Sequence, residues 1–366
     1  MIEYLKADNY KSLVNFKIDF SKINILLGSN GSGKSTIFFL IYSLRAFIRG
    51  DKKLENLFDF STLTRWQTVN IQTFELKITG KKQSFIYQLE IEYNRDIKKN
   101  KVRREAVLCN DKFIFKSENG KATLYNDSFE EGPEILTNWS YSGVSAVFER
   151  NDNKLLAFFK DAVNRIVVCE PVPMLVDGSA EEADPYPEFA LDNLPAVYLS
   201  VVQKNPEKLS KLWTMMKEIN PSFERTYLEG ESEKKLCFEY ENNKVKQRYL
   251  LSELSEGEKA LFSFYFLVIN FMGDGYTLML DEPDNYISLR EIIPAMQAVE
   301  DATGNVDTQC VLISHHPKVI DYYAQSGGIW LSRYSYGATT VTDAPKTGNV
   351  LTYSELISRG DINEAQ

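Results

Sequence analysis

Apolar and polar positions alternate with period two in IEYLKADNY, VNFKIDF and INILL, which predicts three short strands within residues 2–27. A Gly/Ser-rich loop follows. STIFFLIYSLRAFI, next, has the length and apolar density of a core helix. IQTFELKI, SFIYQLEIEY, VRREAVL and KFIFK, separated by turn-like segments, predict an antiparallel meander over residues 71–116. NDNKLLAFFKDAVNRI, from 151, reads as an amphipathic helix feeding a strand at VVCE. The stretch PVPMLVDGSAEEADPYPEF (171–189) is rich in proline and acid and predicts a loop. A helix at PEKLSKLWTMMKEI and a strand pair around 224–250 come next. From 251 onward, helix alternates with the very apolar TLMLD and QCVLIS, the pattern of a parallel sheet. IWLSRYS and ATTVTD then read as strands, with SELISRG as a closing helix.

Composition narrows the class. At 366 residues, 43% apolar and 25% charged, the chain is an ordinary globular protein with length for a sizeable core. A net charge of −9 gives no global sign of nucleic-acid binding. Cys109, Cys169, Cys237 and Cys310 show no paired spacing and read as reduced thiols. The start MIEYLKADNYKSL lacks a secretory pattern, and ALFSFYFLVINFM (260–272) is too short to span a bilayer. These features predict a cytoplasmic protein with no membrane partner.

Four segments carry candidate chemistry. Gly28-Ser-Asn30-Gly31-Ser-Gly33-Lys34-Ser35-Thr36 fits G-x-x-x-x-G-K-[ST] between a predicted strand and a predicted helix. Its glycines let backbone N–H groups face a polyphosphate, Lys34 would reach the β- and γ-phosphates, and Ser35 would ligand Mg²⁺. The bland alternative is a turn that matches by chance. TLMLD runs into Asp281-Glu282-Pro283, which puts carboxylates at a strand end. There Asp281 would hold Mg²⁺ and Glu282 would polarise the attacking water, unless the pair merely caps a helix. Ser255-Glu-Gly257-Glu258 opens an apolar helix and on its own reads as a capping box. ISHHP holds the only two histidines, His315 and His316. Neighbouring strand residues point to opposite faces, so the two imidazoles cannot easily share one metal ion.

The order of these segments resembles the ABC-class ATPases, most closely the soluble SMC/RecF/OLD branch. NYKSL resembles the basic element that opens RecF-like ATPases, and DEPDN and ISHHP resemble their DEPEN and T-H-S-P segments. LTRW, QTFEL, SLREI, ISHHPKVID and SELISRG resemble a family of compact bacterial ATPases without a long coiled coil. The resemblance implies an α/β P-loop NTPase of ABC type. It would have a mostly parallel core sheet, an antiparallel β subdomain and a helical signature subdomain. The expected divisions are 1–70 with 251–366 as ATPase core, 71–150 as β subdomain and 151–250 as an insertion.

By the same resemblance, His315 is the switch histidine at the γ-phosphate, and His316 is structural. Lys11 would contact nucleotide. Ser255 and Gly257 would act in trans on ATP held by a second protomer, giving an ATP-sandwiched homodimer. Asp284 and Asn285 would lie at that seam. The Mg²⁺-sensing glutamine is ambiguous between Gln72 and Gln67, with Gln72 favoured. YISLRE after DEPDN departs from the LHP usual in RecF-like chains, and the short span between phosphate loop and signature leaves no room for an arm.

The run DIKKNKVRRE (96–105) would either meet DNA phosphates or form a solvated hairpin tip. The segment after ISHHP has no acidic cluster suited to a Toprim nuclease, so an effector would be a separately encoded protein. The expected activity is ATP hydrolysis with Mg²⁺. The expected role is a partner-controlling switch in bacterial anti-phage defence or DNA maintenance, the alternative being a RecF-like DNA repair clamp. A transporter motor subunit fits the NYKSL start and the THSP-like segment poorly.

Overall fold

The computed structural model describes all residues except 81–82, 177, 274, 289, 305–306, 344–351 and 360–366. Contacts divide the chain into two units. One comprises Met1–Ile166, Ala324–Leu351 and Glu355–Gln366; the other comprises Val167–Tyr323 and Thr352–Ser354.

In the first unit an eight-stranded antiparallel sheet runs in the order Phe16–Asp19, Ile2–Asp8, Ile71–Gly80, Gln83–Asn94, Lys99–Cys109, Lys112–Glu118, Lys121–Tyr125, Glu131–Leu136. Period-two alternation builds its inner face. Phe74, Leu76 and Ile78 are buried opposite Leu89, Tyr87 and Phe85. The helix Lys154–Asn164 covers that face, with Phe159 stacked on Tyr87 at 6.0 Å and tilted against Phe85 at 5.8 Å. The four strands of the expected meander are present. Two further strands extend it, and the last, EGPEIL, is exposed along most of its length and so carries no alternation to read.

A fully buried acid sits in this sheet. The Glu105 carboxylate accepts from Tyr87 Oη at 2.9 Å, from Gly143 N at 2.7 Å and from Ser142 Oγ. Burial pushes its carboxyl above the ordinary range despite those donors. The same unit holds Ile23–Leu27, paired in parallel with Gly328–Arg333, which pairs in turn antiparallel with Thr339–Asp343.

In the second unit the fully buried strands Thr277–Asp281 and Gln309–Ile313 run parallel, and residues 167–169 flank the first of them. The helix Glu256–Phe271 is exposed at its first turn and buried from Ala260 to Phe271. The expected strand pair near 224–250 is three strands, Phe223–Glu229, Lys234–Asn242 and Val245–Leu250. Asn243 and Lys244, at φ 52° and 66°, form the tight turn that separates the last two. A helix not anticipated from the pattern, Leu194–Lys204, starts with proline in its first turn, where the missing N–H costs nothing.

The acidic stretch 171–189 is largely irregular but tied down. Asn193 donates to Asp184 Oδ2 and Tyr186 O and accepts from Glu188 N, within 3.0–3.2 Å. The class is therefore mixed α/β with parallel pairing and an antiparallel β subdomain, which takes in the two amino-terminal strands. No helix among the described residues is long and apolar enough to cross a membrane.

Candidate functional site

The phosphate loop leaves the carboxyl end of Ile23–Leu27 and enters the helix Lys34–Arg49. Gly28, Gly31 and Gly33 have φ of 146°, 80° and 107°, a region that side chains disfavour. A Cβ on Gly28 would lie 2.2 Å from Leu331 O, and one on Gly33 2.7 Å from Thr339 Oγ1. Gly31 faces open space and is required by its backbone angle alone. Thr339 ties the loop from behind, its hydroxyl donating to Ser32 O at 2.9 Å and hydrogen-bonded to the Ser12 hydroxyl at 2.8 Å.

Lys34 Nζ folds back onto Gly28 O at 2.8 Å and Ser29 O at 3.2 Å. Gly33 supplies no side-chain cap to the helix, whose start is flanked by exposed Ser35, half-buried Thr36 and exposed Asn30. This cradle of amide donors around a lysine fits a polyphosphate. Lys11, at φ 48°, places its ammonium 5.1 Å from the Phe39 ring on the same helix, and burial lowers its pKa.

Gln72 is the residue favoured above as metal ligand. It is fully buried; Nε2 donates to Asn9 O at 2.9 Å and Thr62 O at 3.0 Å, and Oε1 accepts from Tyr93 Oη at 2.7 Å. Both ends of the amide hold the turns around Asn9 and Thr62, which makes it a structural bridge. Gln67 keeps a buried side-chain oxygen without a hydrogen-bond partner among the described residues.

The second unit carries the acids and the histidines. Asp281 ends its strand 2% exposed. Glu282 follows at φ 47°, an uncommon conformation for a side-chain-bearing residue, with its N–H bonded to Ile313 O at 2.8 Å. That twist turns its carboxylate outward. Oε1 lies 3.2 Å from His315 Nε2 and Oε2 accepts from Asn285 Nδ2 at 2.7 Å. A carboxylate and an imidazole in hydrogen-bond reach, both partly exposed, can position and deprotonate a water.

His316 does different work. Its Nδ1 accepts from Lys318 N at 3.2 Å and its carbonyl accepts from Ile320 N, so it starts the helix Pro317–Gly327. Asp284 turns inward, 9% exposed, and accepts from Ser314 Oγ at 2.8 Å; burial raises its pKa. Sequence reasoning passed over Glu170, which directly follows the strand beside Asp281. Its carboxyl is pushed up by burial first and by the Glu282 charge second. The available signal was an acid after an apolar run, as in TLMLDE.

Ser255 caps the helix Glu256–Phe271 reciprocally. Its Oγ accepts from Glu258 N at 3.3 Å, while Glu258 Oε2 accepts from Ser255 N at 3.0 Å and Ser255 Oγ at 2.7 Å. A Cβ on Gly257 would lie 3.2 Å from Tyr286 O, so the segment after the acids runs against this exposed helix start. In the basic run, Lys101 pairs with Glu92, and Arg103 and Arg104 with Glu90, across neighbouring strands.

A family described as "AAA domain, putative AbiEii toxin, Type IV TA system" matches residues 23–321. Among solved structures, an Smc head bound to the C-winged helix domain of ScpA is similar at a TM-score of 0.57 and 15% identity, over 93% of this chain and 98% of that one. An Smc head domain with an extended coiled coil, bound to the C-terminal domain of ScpA and derived from Pyrococcus furiosus, gives 0.54 and 13%, over 99% and 98%. The comparison with curated proteins returned no match. The likenesses show an SMC-head-like P-loop fold of the ABC-ATPase type.

Proposed function

Since the chain belongs to the family described as "AAA domain, putative AbiEii toxin, Type IV TA system", we propose that it is an ATP-hydrolysing switch that closes into an ATP-sandwiched dimer and controls a partner protein. The observation that carries this reading is the Glu282–His315–Asn285 constellation, in a chain that also has a phosphate loop of the required backbone shape. Gly28, Asn30, Gly31, Gly33, Lys34 and Thr36 would bind the phosphates, with Lys11 beside the loop helix. Ser35 and Asp281 would hold Mg²⁺, which neutralises phosphoryl charge when bound. Glu282 takes the proton of the attacking water and His315 orients it. Ser255 and Gly257 stand exposed or half-buried at a helix start, as a trans contact to the partner's ATP requires.

The partner reading is preferred to a DNA clamp because the cations of the 96–105 run that pair do so with facing acids of the same sheet. The related heads are bound to ScpA domains, and the family description names a toxin system; both support a protein effector encoded separately. The setting proposed for this switch is bacterial anti-phage defence or DNA maintenance.

The test is the solution mass of Glu282→Gln by light scattering, with and without Mg-ATP. Mass should double with ATP, because closure remains available while hydrolysis is blocked. A mass that is already doubled without nucleotide, or that stays monomeric while ATP binds, would refute an ATP-made dimer.

A further inference from the structure

The hairpin between Gly328–Arg333 and Thr339–Asp343 turns through Tyr334-Ser335-Tyr336-Gly337, closed by Gly337 N donating to Tyr334 O at 2.7 Å. Ser335 and Tyr336 sit at φ 44° and 58°. Two-residue turns of this shape favour glycine and asparagine, and a tyrosine there is strained. Packing does not compensate, since Tyr334 and Tyr336 are 89% and 85% exposed. The strain is held by Arg333, whose Nε donates to Gly337 O at 2.8 Å and Nη2 to Tyr336 O at 2.9 Å. Its remaining arm, Nη1, reaches Gly31 O of the phosphate loop at 3.4 Å.

With its edge turned to backbone carbonyls, the guanidinium presents its faces. It lies 5.8 Å from the Trp66 ring and 5.6 Å from the Tyr336 ring, and Trp66 is 48% exposed. Three planar groups, two from this hairpin and Trp66 from a distant part of the sequence, are thus gathered beside a phosphate loop. Strain retained at such a spot points to a ligand.

We infer that Trp66, Arg333 and Tyr336 form the platform for the base of the bound nucleotide. This rests on the proposal that the loop binds ATP. Aromatic faces and a guanidinium plane attract any base by stacking and cation–π contact. Because Arg333 turns donors toward backbone carbonyls, recognition runs through faces and not through base edges. The platform therefore adds affinity with little discrimination between adenine and guanine.

The experiment measures dissociation constants of ATP, GTP and inorganic tripolyphosphate on the full chain, for wild type, Trp66→Phe and Trp66→Ala. Trp66 is half exposed, and thermal melts verify that each variant folds. Wild type should bind ATP and GTP within a few-fold of each other and tripolyphosphate about tenfold more weakly, the scale of one stacked base. Trp66→Ala should bring ATP to the tripolyphosphate level while leaving tripolyphosphate unchanged, and Trp66→Phe should keep most of the difference. An ATP-to-tripolyphosphate ratio unaltered in Trp66→Ala overturns the platform and leaves nucleotide binding standing. Wild type that binds none of the three ligands overturns both.

Discussion

Ser255 separates two accounts of the helix start, a plain cap and a contact to ATP on a second protomer. Removing the cap with Ser255→Ala leaves Glu258 N–H without its 3.3 Å acceptor and deletes the 2.7 Å contact to Glu258 Oε2. Both lie in solvent, so the loss should be about 1 kcal/mol, typical of an N-cap. For a domain of this size that is about 2 °C in melting temperature. Ser255→Asp is as good a cap in general, though repulsion from Glu258 makes its stability resemble that of the alanine variant.

The two substitutions part at the dimer. A carboxylate set where a γ-phosphate must approach faces a like charge at ~4 Å, which at an effective dielectric of ~20 costs ~4 kcal/mol. That weakens each composite site about a thousandfold. In the Glu282→Gln background with Mg-ATP, light scattering should show Ser255→Ala still dimerising at raised concentration and Ser255→Asp monomeric throughout. Equal dimerisation of both variants would mean that the segment is a cap and nothing more.

Two further outcomes test the fold and the loop. Gly28→Ala forces a methyl to 2.2 Å from Leu331 O at φ 146°, so nucleotide binding should be lost, with a stability loss of about 2 kcal/mol or more, read by calorimetry and a denaturant melt. For Glu105 the raised carboxyl pKa means that the folded state favours the proton. Its contribution is most favourable below the ordinary value of 4.5 and is lost as pH rises from there through the raised native value. Glu105→Gln, which does not titrate, should flatten the wild-type fall in stability across that window, seen as a pH-dependent difference between their urea midpoints; parallel curves would refute the linkage.

The phosphate loop was legible because its motif is a statement about backbone: glycines at φ values that other residues disfavour, between a strand and a helix. The acids after TLML were legible for a similar reason, an apolar run with one abrupt polar end. Gln72 was placed at the metal by the resemblance alone, and no local pattern announces that its buried amide satisfies carbonyls of two turns. Glu170 was missed since a single acid after VVC lacks the pairing that marks DEP. The Trp66–Arg333–Tyr336 cluster lies outside any local pattern: only the parallel pairing of Ile23–Leu27 with Gly328–Arg333 carries the hairpin to the phosphate loop.

The two adjacent histidines also set a clock. On one side of His315, Ser314 is bonded to buried Asp284; on the other, the His316 N–H is bonded to Ser314 Oγ and the His316 ring starts a helix. The main chain through this histidine is thus braced from both ends, while its side chain stays 45% exposed. Under the switch proposed above, a departing phosphate would be met by rotation of this side chain, which for an exposed group takes picoseconds to nanoseconds. A slower, larger change of the kind a partner would sense would then have to come from another part of the molecule.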